Sequence, residues 1–275
     1  MASLAYRGYG TGAPLILLHG LGSARPAWDP VIPALAAQFR VLAIDLPGFG
    51  ESDPLPGGVE PAPAVLAACV AGFLDELGIA APHVAGNSLG GWVALELAGL
   101  RPVASLALLS PAGLWRGRTP LYNRISLRLT RMFAKRAGRP LAWLMRYRAA
   151  RILVLGQTHG RPSRIGPDYA RTAVRSMGAA PGFDATMRAT EPRCYRSGPP
   201  IDAPVTVGFG SRDFLLRARR SRHLDELPPG TRVVALPGCG HVPMADDPAA
   251  VAAFITAATR ADESTRNAGQ ATVRW

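Results

Sequence analysis

The sequence predicts an α/β fold in which a mostly parallel, doubly wound sheet carries one helical insertion. Short apolar runs of six to eight residues alternate with longer segments whose apolar residues recur at helical spacing. Such alternation is typical of a parallel sheet with helices on both faces. It breaks once, between residues 114 and 200, and then resumes. The 275 residues suit one large domain with an insertion.

Six apolar runs are the predicted strands. They cover residues 14–19, 40–45, 82–87, 103–110, 204–210 and 231–237. Two of the helices have recognisable ends. The segment "PAVLAACVAGFLDELG" ends at Gly78, a residue type favoured just beyond a helix C-terminus. The segment "DPAAVAAFITAATR" begins with Asp247, which predicts an N-cap, and Pro248 suits the first helical position.

The break in the alternation defines the domain organisation. Residues 114–200 lack strand-like runs, and "NRISLRLTRMFAKRAGRPLAWLMRYRAARILVLG" within them is basic and predicted to be helical. We therefore predict a core built from residues 1–113 and 201–260, with residues 114–200 as the helical insertion. Residues 261–275 are polar and are predicted to form a flexible tail.

The positive charge of the chain is confined to the helical insertion. Residues 114–200 hold 18 Arg and Lys against 3 Asp and Glu, a net charge of +15, whereas the remainder has a net charge of −3. The excess favours an anionic substrate, an acyl-carrier-linked substrate or an acidic lipid surface, and a merely solvated arginine face explains it equally well. Because the excess is confined to one segment, we do not expect nucleic-acid binding.

Other global features favour a cytoplasmic protein without a cofactor. No apolar run reaches the roughly 20 residues of a membrane span, and the N-terminus lacks the pattern of a secretory signal. Cys69, Cys194 and Cys239 are widely spaced and odd in number, which favours reduced thiols. No residues have the spacing of a metal site or a phosphate-binding loop, so we expect neither a metal nor a cofactor.

The segment "VAGNSLGGWVALELAG" places Ser88 between a predicted strand and a predicted helix. A residue on so sharp a turn adopts an unusual backbone conformation, and Gly86 and Gly90 remove the collisions that side chains would cause there. The pattern Gly-x-Ser-x-Gly at a strand-to-helix turn is typical of a hydrolase nucleophile, although a plain turn also accepts these residues.

Four motifs in order make the chain resemble the α/β-hydrolase family over most of residues 1–113 and 201–260. They are "LLHGLG", "DLPGFGES", "GNSLGG" and the pair "GFGSRD" and "GCGHVP". The resemblance implies a serine hydrolase in which residues 114–200 form a helical lid over the nucleophile and select the substrate.

The resemblance also implies a catalytic triad of Ser88, Asp213 and His241. A serine hydroxyl needs a base to remove its proton, and the base needs an acid to orient it. His241 follows a strand and a glycine-rich turn, and Asp213 follows another strand at its carboxyl end. The backbone N–H groups of Leu21 and Leu89 are the expected donors to the oxyanion.

The remaining candidates near these motifs are interpreted as structural. His19 is expected to shape the loop after the first strong strand, and Asp45 is expected to bind backbone N–H groups of its turn. Cys239, two residues before His241, is a less suitable nucleophile than the serine. Asp246 and Asp247 are expected to cap the last helix. Three histidines lie outside any motif: His83, His159 and His223.

Serine at position 88 predicts acyl transfer through an acyl-enzyme, with hydrolysis of a carboxylic ester or lactone as the leading hypothesis. A thioesterase, a C–C hydrolase of vinylogous diketones and a non-catalytic binding protein of the same fold are the alternatives. C–C hydrolases often have tryptophan directly after the catalytic histidine, where this chain has Val242 and Pro243.

Apolar residues of the insertion either line an acyl pocket or pack the insertion onto the core, and packing is the preferred interpretation for most of them. They are Leu127, Met132, Phe133, Leu141, Trp143, Leu144 and Met145. We also predict that arginines such as Arg124, Arg128 and Arg131 steer anionic substrates, with an effect that salt weakens.

Overall fold

The six apolar runs and one further segment form a seven-stranded sheet in the computed structural model, which describes residues 3–270 and, apart from residues 218 and 261–270, their side chains. The strands are β1 Tyr6–Tyr9, β2 Ala13–Leu18, β3 Phe39–Ile44, β4 His83–Asn87, β5 Ser105–Leu109, β6 Val205–Gly210 and β7 Arg232–Leu236. Their order is β1-β3-β2-β4-β5-β6-β7. β1 runs antiparallel to β3 and all other pairs are parallel, so the predicted fold class is confirmed.

All six predicted strands are present, and each end lies within two residues of its predicted position. The additional strand, β1, is an edge strand of sequence "YRGY" whose residues are mostly exposed. It pairs with β3 in the register Tyr6 to Ile44. An exposed edge strand needs no apolar run, which is why the sequence pattern did not predict it.

Helices cover both faces of the sheet. Those of the core are α1 Ile32–Ala36, α2 Pro63–Glu76, α3 Leu89–Leu100, α8 Ala218–Ser221 and α9 Pro248–Gln270. Alternate residues of each strand point to opposite faces. Ile16 and Leu18 pack with residues of α2 and α3, whereas Leu15 and Leu17 pack with residues of α1 and α9. The sheet is therefore doubly wound.

Two predicted helix ends are confirmed. Gly78 has φ of +65° just beyond α2. The N–H of Gly78 donates to the carbonyl of Asp75 and the N–H of Ile79 donates to that of Leu74, which together form a Schellman motif. At the start of α9, the Asp247 carboxylate accepts the N–H of Ala250 at 3.1 Å.

The helical insertion forms four helices between β5 and β6 and contains no strand. They are α4 Leu121–Leu144, α5 Arg148–Leu155, α6 Pro167–Ala179 and α7 Phe183–Thr190. α4 has a kink at Ala137, and Pro140 lies one turn further on. Met145, Leu155 and Val174 belong to a small apolar cluster of the insertion itself.

The last helix, α9, extends beyond residue 260, where the predicted core ends. The backbone of α9 is helical to Gln270, and residues 271–275 of the predicted tail lie outside the described residues. Within residues 3–270, every helix is too short or too polar to cross a bilayer.

Candidate active site

The parallel strands bring the candidate residues to one edge of the sheet. Ser88 follows β4, Asp213 follows β6 after a short turn, and His241 follows β7. Because parallel strands end at the same edge, residues that are far apart in sequence meet there. β4, β5, β6 and β7 are consecutive in the sheet.

Ser88 lies on a strained turn that glycine neighbours make possible. Its φ of +53° and ψ of −115° are unusual for a residue with a side chain. A Cβ atom on Gly90 would collide with the carbonyl group of Leu18, and one on Gly86 would collide with the backbone of Gly90. α3 begins at Leu89 directly after the turn, and Ser88 lines a cavity above it.

His241 and Asp213 form a buried pair. The Nδ1 atom of His241 lies 3.0 Å from an Oδ atom of Asp213. The other carboxylate oxygen accepts the N–H groups of Leu215 at 3.0 Å and Leu216 at 2.7 Å. Burial raises the pKa of Asp213, but His241 and the N–H of Leu216 outweigh it and hold the pKa below its ordinary value. The carboxylate therefore stays ionised at neutral pH.

Ser88 and His241 line the same cavity, so a bound molecule can reach both. In the described part of the chain, no hydrogen bond joins the Ser88 hydroxyl to the imidazole. Such bonds are often long before a substrate is bound. With Nδ1–H directed at Asp213, the Nε2 atom of His241 is the position that can accept a proton.

Asn87 ties the strand before Ser88 to the turn that carries His241. Its buried Nδ2 group donates to the carbonyl of Leu109 at 3.0 Å and to that of His241 at 2.8 Å. This positioning residue was missed by the sequence analysis. Its one signal is an amide at the last residue of an otherwise apolar strand.

His19 orients the loop that contains Leu21. The ring Nε2 atom accepts the N–H of Leu46 at 3.0 Å, so the proton lies on Nδ1, which donates to the carbonyl of Gly20 at 2.8 Å. Burial lowers the pKa of His19, which keeps this neutral form. In a trans peptide the N–H points away from the carbonyl. The N–H of Leu21 therefore points away from His19.

Leu89 and Leu21 are both placed beside Ser88. Leu89 opens α3, and the first N–H groups of a helix have no partner within it. Leu21 lines the cavity with Gly20, and a Cβ atom on Gly20 would lie 3.2 Å from that of Ser88. The loop after β2 thus approaches the serine closely.

Asp45 holds its own turn, as the sequence analysis expected. Its carboxylate accepts the N–H of Arg25 at 2.6 Å and that of Glu51 at 3.0 Å, and it forms an ion pair with the Arg25 guanidinium. These partners occupy its oxygens, and His241 is not among them.

The expectation that Asp246 and Asp247 both cap the last helix is wrong for Asp246. Of the two residues, only Asp247 caps α9. The Asp246 carboxylate instead accepts the N–H groups of Gly160 at 2.8 Å, Arg161 at 2.7 Å and Gly240 at 2.8 Å. A short 3₁₀ turn, Pro243–Ala245, separates His241 from α9 and directs Asp246 back toward the His241 turn. Asp246 therefore joins that turn to the helical insertion.

Of the histidines outside the motifs, His159 is the one that lines the cavity. It is buried, its Nδ1 lies 2.9 Å from the Thr158 hydroxyl, and its Nε2 has no partner within the described residues. Burial lowers the pKa of His159 to about 4, so its ring is neutral at pH 7. No sequence signal marked it. His83 and His223 are half-buried, and the ring of His83 lies 2.9 Å from the Ser105 hydroxyl.

The cavity above Ser88 has a volume of about 810 Å³, and its walls come from the core and from α4, α5 and α6. Its described lining contains no Asp, Glu, Lys or Arg and is mostly apolar. Of the seven apolar residues singled out from the insertion, Leu127, Phe133 and Leu141 line the cavity. The other four divide by burial: Met145 is buried, Met132 half-buried, and Trp143 and Leu144 exposed.

The alpha/beta hydrolase family model matches residues 15–254. The chain belongs to this family. An esterase from Thermogutta terrifontis shares the fold of this α/β-hydrolase with a TM-score of 0.76 and 24% identity, over 95% of this chain and 94% of that one.

Several curated proteins match this chain by sequence. A pimeloyl-[acyl-carrier protein] methyl ester esterase from Aeromonas hydrophila is 32% identical over 90% of this chain and 95% of the relative. The acetyltransferase component of an acetoin cleaving system from Pseudomonas putida is 48% identical over 38% of this chain. That match spans only 28% of the relative.

Arginines of the insertion are held by internal partners in this α/β-hydrolase. Arg118, Arg124 and Arg128 surround Glu191, with distances of 3.3 Å from Arg118 and 2.6 Å from Arg128. Arg131 is buried and donates to the carbonyls of Met177 and Ala180. Arg124, Arg128 and Arg131 therefore hold the insertion together, and none of them lines the cavity.

Cys239 is buried and free in this α/β-hydrolase. Burial raises the pKa of its thiol to about 11, with Asp246 and Asp247 adding to the shift. The thiol therefore stays protonated at neutral pH, which makes it a weak nucleophile.

Proposed function

We propose that this α/β-hydrolase is a serine esterase that cleaves carboxylic esters or lactones with an apolar acyl part. The observation that carries the proposal is that Ser88 and His241, whose ring is paired with the buried Asp213, line one uncharged, mostly apolar cavity of about 810 Å³. An apolar wall favours hydrocarbon, and the absence of charged residues from the described lining disfavours an ionised group deep in the cavity.

In the proposed reaction, Nε2 of His241 removes the Ser88 hydroxyl proton as the oxygen attacks the ester carbonyl carbon. The N–H groups of Leu21 and Leu89 bind the oxyanion that forms. When the tetrahedral intermediate collapses, His241 gives the proton to the leaving alcohol and an acyl-enzyme remains. Water, activated by His241, then releases the acid and restores Ser88.

Asp213 acts as the orienting acid in this proposal. Its bond to Nδ1 fixes the tautomer of His241, and its negative charge stabilises the imidazolium that forms during attack. The lowered pKa of Asp213 supports this role because the carboxylate is ionised at the pH of the reaction.

We further propose that residues 114–200 are a lid, since α4, α5 and α6 supply most of the apolar wall of the cavity. The lid then selects the acyl part by size. The Aeromonas relative, named for an acyl-carrier-linked methyl ester, supports an acyl chain as the substrate part in the cavity. The three free cysteines support a cytoplasmic location.

Fluorophosphonate labelling tests the proposed nucleophile. Wild-type protein is expected to label at Ser88, and Ser88→Ala is expected to lose labelling and at least roughly a thousandfold of kcat. The variant keeps Gly86 and Gly90 and is therefore expected to fold like the wild type. A folded Ser88→Ala protein is the control that separates loss of the nucleophile from loss of structure. Near-wild-type hydrolysis by a pure Ser88→Ala preparation would exclude the mechanism.

A series of p-nitrophenyl esters from acetate to palmitate tests the proposed substrate class. We expect kcat/KM to rise with acyl length until the cavity is filled, because each buried CH₂ contributes about 0.8 kcal/mol. A maximum at acetate would contradict the assignment of the cavity to the acyl part.

A further inference from the structure

The first half of α4 turns its apolar residues toward solvent. Its buried residues include Asn123, Arg131 and Ala134. Its exposed apolar residues lie on successive turns of the helix and are Leu121, Tyr122, Ile125, Leu129 and Phe133. A helix packed on a core normally buries its apolar stripe and exposes its polar one. This half of α4 does the reverse, and such exposed apolar surface marks an interaction site.

Further exposed apolar residues lie at the end of α4, in the turn before α5 and on α5 itself. They include Trp143, Tyr147, Ile152 and Leu153, and Leu153 is 86% exposed. We call these residues, with the five of the first half of α4, the apolar face. Within it, the rings of Trp143 and Tyr147 contact each other with centroids 5.7 Å apart.

The apolar face surrounds an opening of the cavity above Ser88. Five of its residues are both exposed and part of the cavity wall: Tyr122, Ile125, Leu129, Phe133 and Leu153. The cavity wall and the outer surface are therefore one continuous apolar surface. A hydrocarbon chain that leaves an apolar phase at this face can reach the cavity without crossing water, which avoids the cost of exposing it.

The chain segment that carries the apolar face has charges of one sign, and Glu191, from outside that segment, pairs with Arg124 and Arg128. Residues 121–155 contain nine Arg and Lys and neither Asp nor Glu. Five of them are exposed and have no ion-pair partner in the described chain: Lys135, Arg136, Arg139, Arg146 and Arg148. The Arg146 guanidinium lies 3.6 Å from the centre of the Trp143 ring and 4.6 Å from that of Tyr147.

We propose that the apolar face docks on the surface of an anionic phospholipid bilayer. Basic residues are attracted to anionic headgroups, and Trp and Tyr favour the boundary between hydrocarbon and water. The rim of a protein interface is polar, whereas the segment 121–155 that carries this face contributes only basic charges to its rim. The ester substrate then enters the cavity directly from the bilayer, a step that rests on the proposed function.

Sedimentation with vesicles of phosphatidylglycerol or phosphatidylcholine tests the docking. Wild-type protein is expected to bind the anionic vesicles at least about tenfold more strongly at low salt. Leu121→Ser, Trp143→Ser and Ile152→Ser together are expected to weaken binding at least about tenfold by removing buried apolar area. These three residues do not line the cavity, so hydrolysis of a short soluble ester is expected to stay within about twofold.

The matched control places the same change on exposed apolar residues outside the insertion. Val59, Leu100 and Val233 are 44–56% exposed, compared with 47–60% for the three test residues. Their combined replacement by serine is expected to leave vesicle binding unchanged. If the triple test variant does not fold, Trp143→Ser alone is compared with Leu100→Ser.

A double variant that removes two exposed arginines tests the electrostatic contribution to docking. Arg136→Gln with Arg139→Gln is expected to weaken binding to phosphatidylglycerol at low salt, and the difference is expected to disappear at high salt. The control is Arg40→Gln with Arg232→Gln, which removes the same charge from exposed positions of the core. An equal loss in both pairs would show attraction by net charge alone and overturn docking through this face.

Two other results overturn the proposal. One is wild-type protein that does not sediment with anionic vesicles. The other is a concentration-dependent dimer without vesicle binding, which would assign the apolar face to a second copy of the chain. Vesicle binding without any hydrolysis of esters would instead refute the proposed function and leave the docking intact.

Discussion

The two carboxylate oxygens of Asp213 have different partners. One carboxylate oxygen accepts two backbone N–H groups, so the other oxygen is the one that faces His241. In Asp213→Asn, the amide oxygen is expected to keep the two N–H groups and the NH₂ group then faces Nδ1 of His241. That arrangement imposes the wrong tautomer, and kcat is expected to fall by roughly 10⁴ with little change in thermal stability.

Asp247→Asn is the control for this prediction, because asparagine caps a helix as well as aspartate does. Its kcat is expected to match that of the wild type. Steady-state kinetics and thermal unfolding of both variants provide the check. An Asp213→Asn enzyme with an unchanged kcat would remove Asp213 from the proposed triad.

The site residues that could be predicted from the sequence are those marked by a motif of a few neighbouring residues. Ser88 lies between two glycines at a strand end, and the strained φ explains the glycines. Asn87 and Asp246 could not be found in the same way. One of the two carbonyls that Asn87 binds lies 154 residues away, and two of the three N–H groups that Asp246 binds lie 85 and 86 residues away. No pattern within a short window of sequence contains such a pair.

At the scale of elements, the His241 turn and the loop before α6 are joined by backbone contacts. The N–H of Val242 donates to the carbonyl of Thr158 at 2.8 Å, beside the three N–H groups that Asp246 accepts. A Cβ atom on Gly240 would lie 2.5 Å from the nitrogen of Gly160, so both glycines are needed for this approach. The position of His241 thus depends on the insertion.

Asp246→Ala tests this dependence. It leaves the N–H groups of Gly160, Arg161 and Gly240 without their acceptor, at a cost of roughly 1–3 kcal/mol for a buried donor. We expect faster hydrogen exchange at these amides, a lower unfolding temperature and a lower kcat. Asp247→Ala removes one N-cap bond and the ion pair with Arg161 but keeps the acceptor of the Gly160 and Gly240 amides, so it is expected to lower stability without faster exchange at these two amides. Unchanged exchange at Gly160 and Gly240 in Asp246→Ala would contradict the coupling.

The strands could be predicted because each apolar run is buried on both faces of a parallel sheet. α4 could be predicted as a helix but not in its orientation. Helical spacing of Ile125, Leu129 and Phe133 normally indicates a face turned to the core, and here that face is exposed and surrounds a cavity. Which stripe of a helix is buried depends on what the remaining elements leave open, and the spacing alone does not contain that information.

At the scale of the whole molecule, the positive charge of the insertion includes two distinct groups. Arg118, Arg124 and Arg128 are neutralised in part by Glu191, and Arg131 donates to backbone carbonyls. The exposed cations around the apolar face are the second group. Steering by the first group is not expected, because their positions are fixed by internal partners, whereas the second group is free to contact a negatively charged surface.

The stability of the whole chain is expected to fall as the pH decreases from about 6.5 toward 4. Burial lowers the pKa of His19 and of His159, the latter to about 4. Below the ordinary histidine pKa of about 6.5, the unfolded chain binds a proton at each ring and the folded chain does not. His159 therefore removes about 1.4 kcal/mol of unfolding free energy per pH unit within that window, and His19 acts in the same direction.

His159→Gln isolates one of these two contributions. The slope of unfolding free energy against pH is expected to become shallower by about 1.4 kcal/mol per pH unit between pH 6 and 4.5, whatever the variant does to stability at pH 7. Urea unfolding at pH 7, 6, 5 and 4.5 measures the slope of the wild type and of the variant. A His159→Gln slope equal to that of the wild type would mean that the buried ring takes up its proton in the folded state. The lowered pKa of Asp213 acts below its ordinary value of 3.8, so it does not contribute to this window.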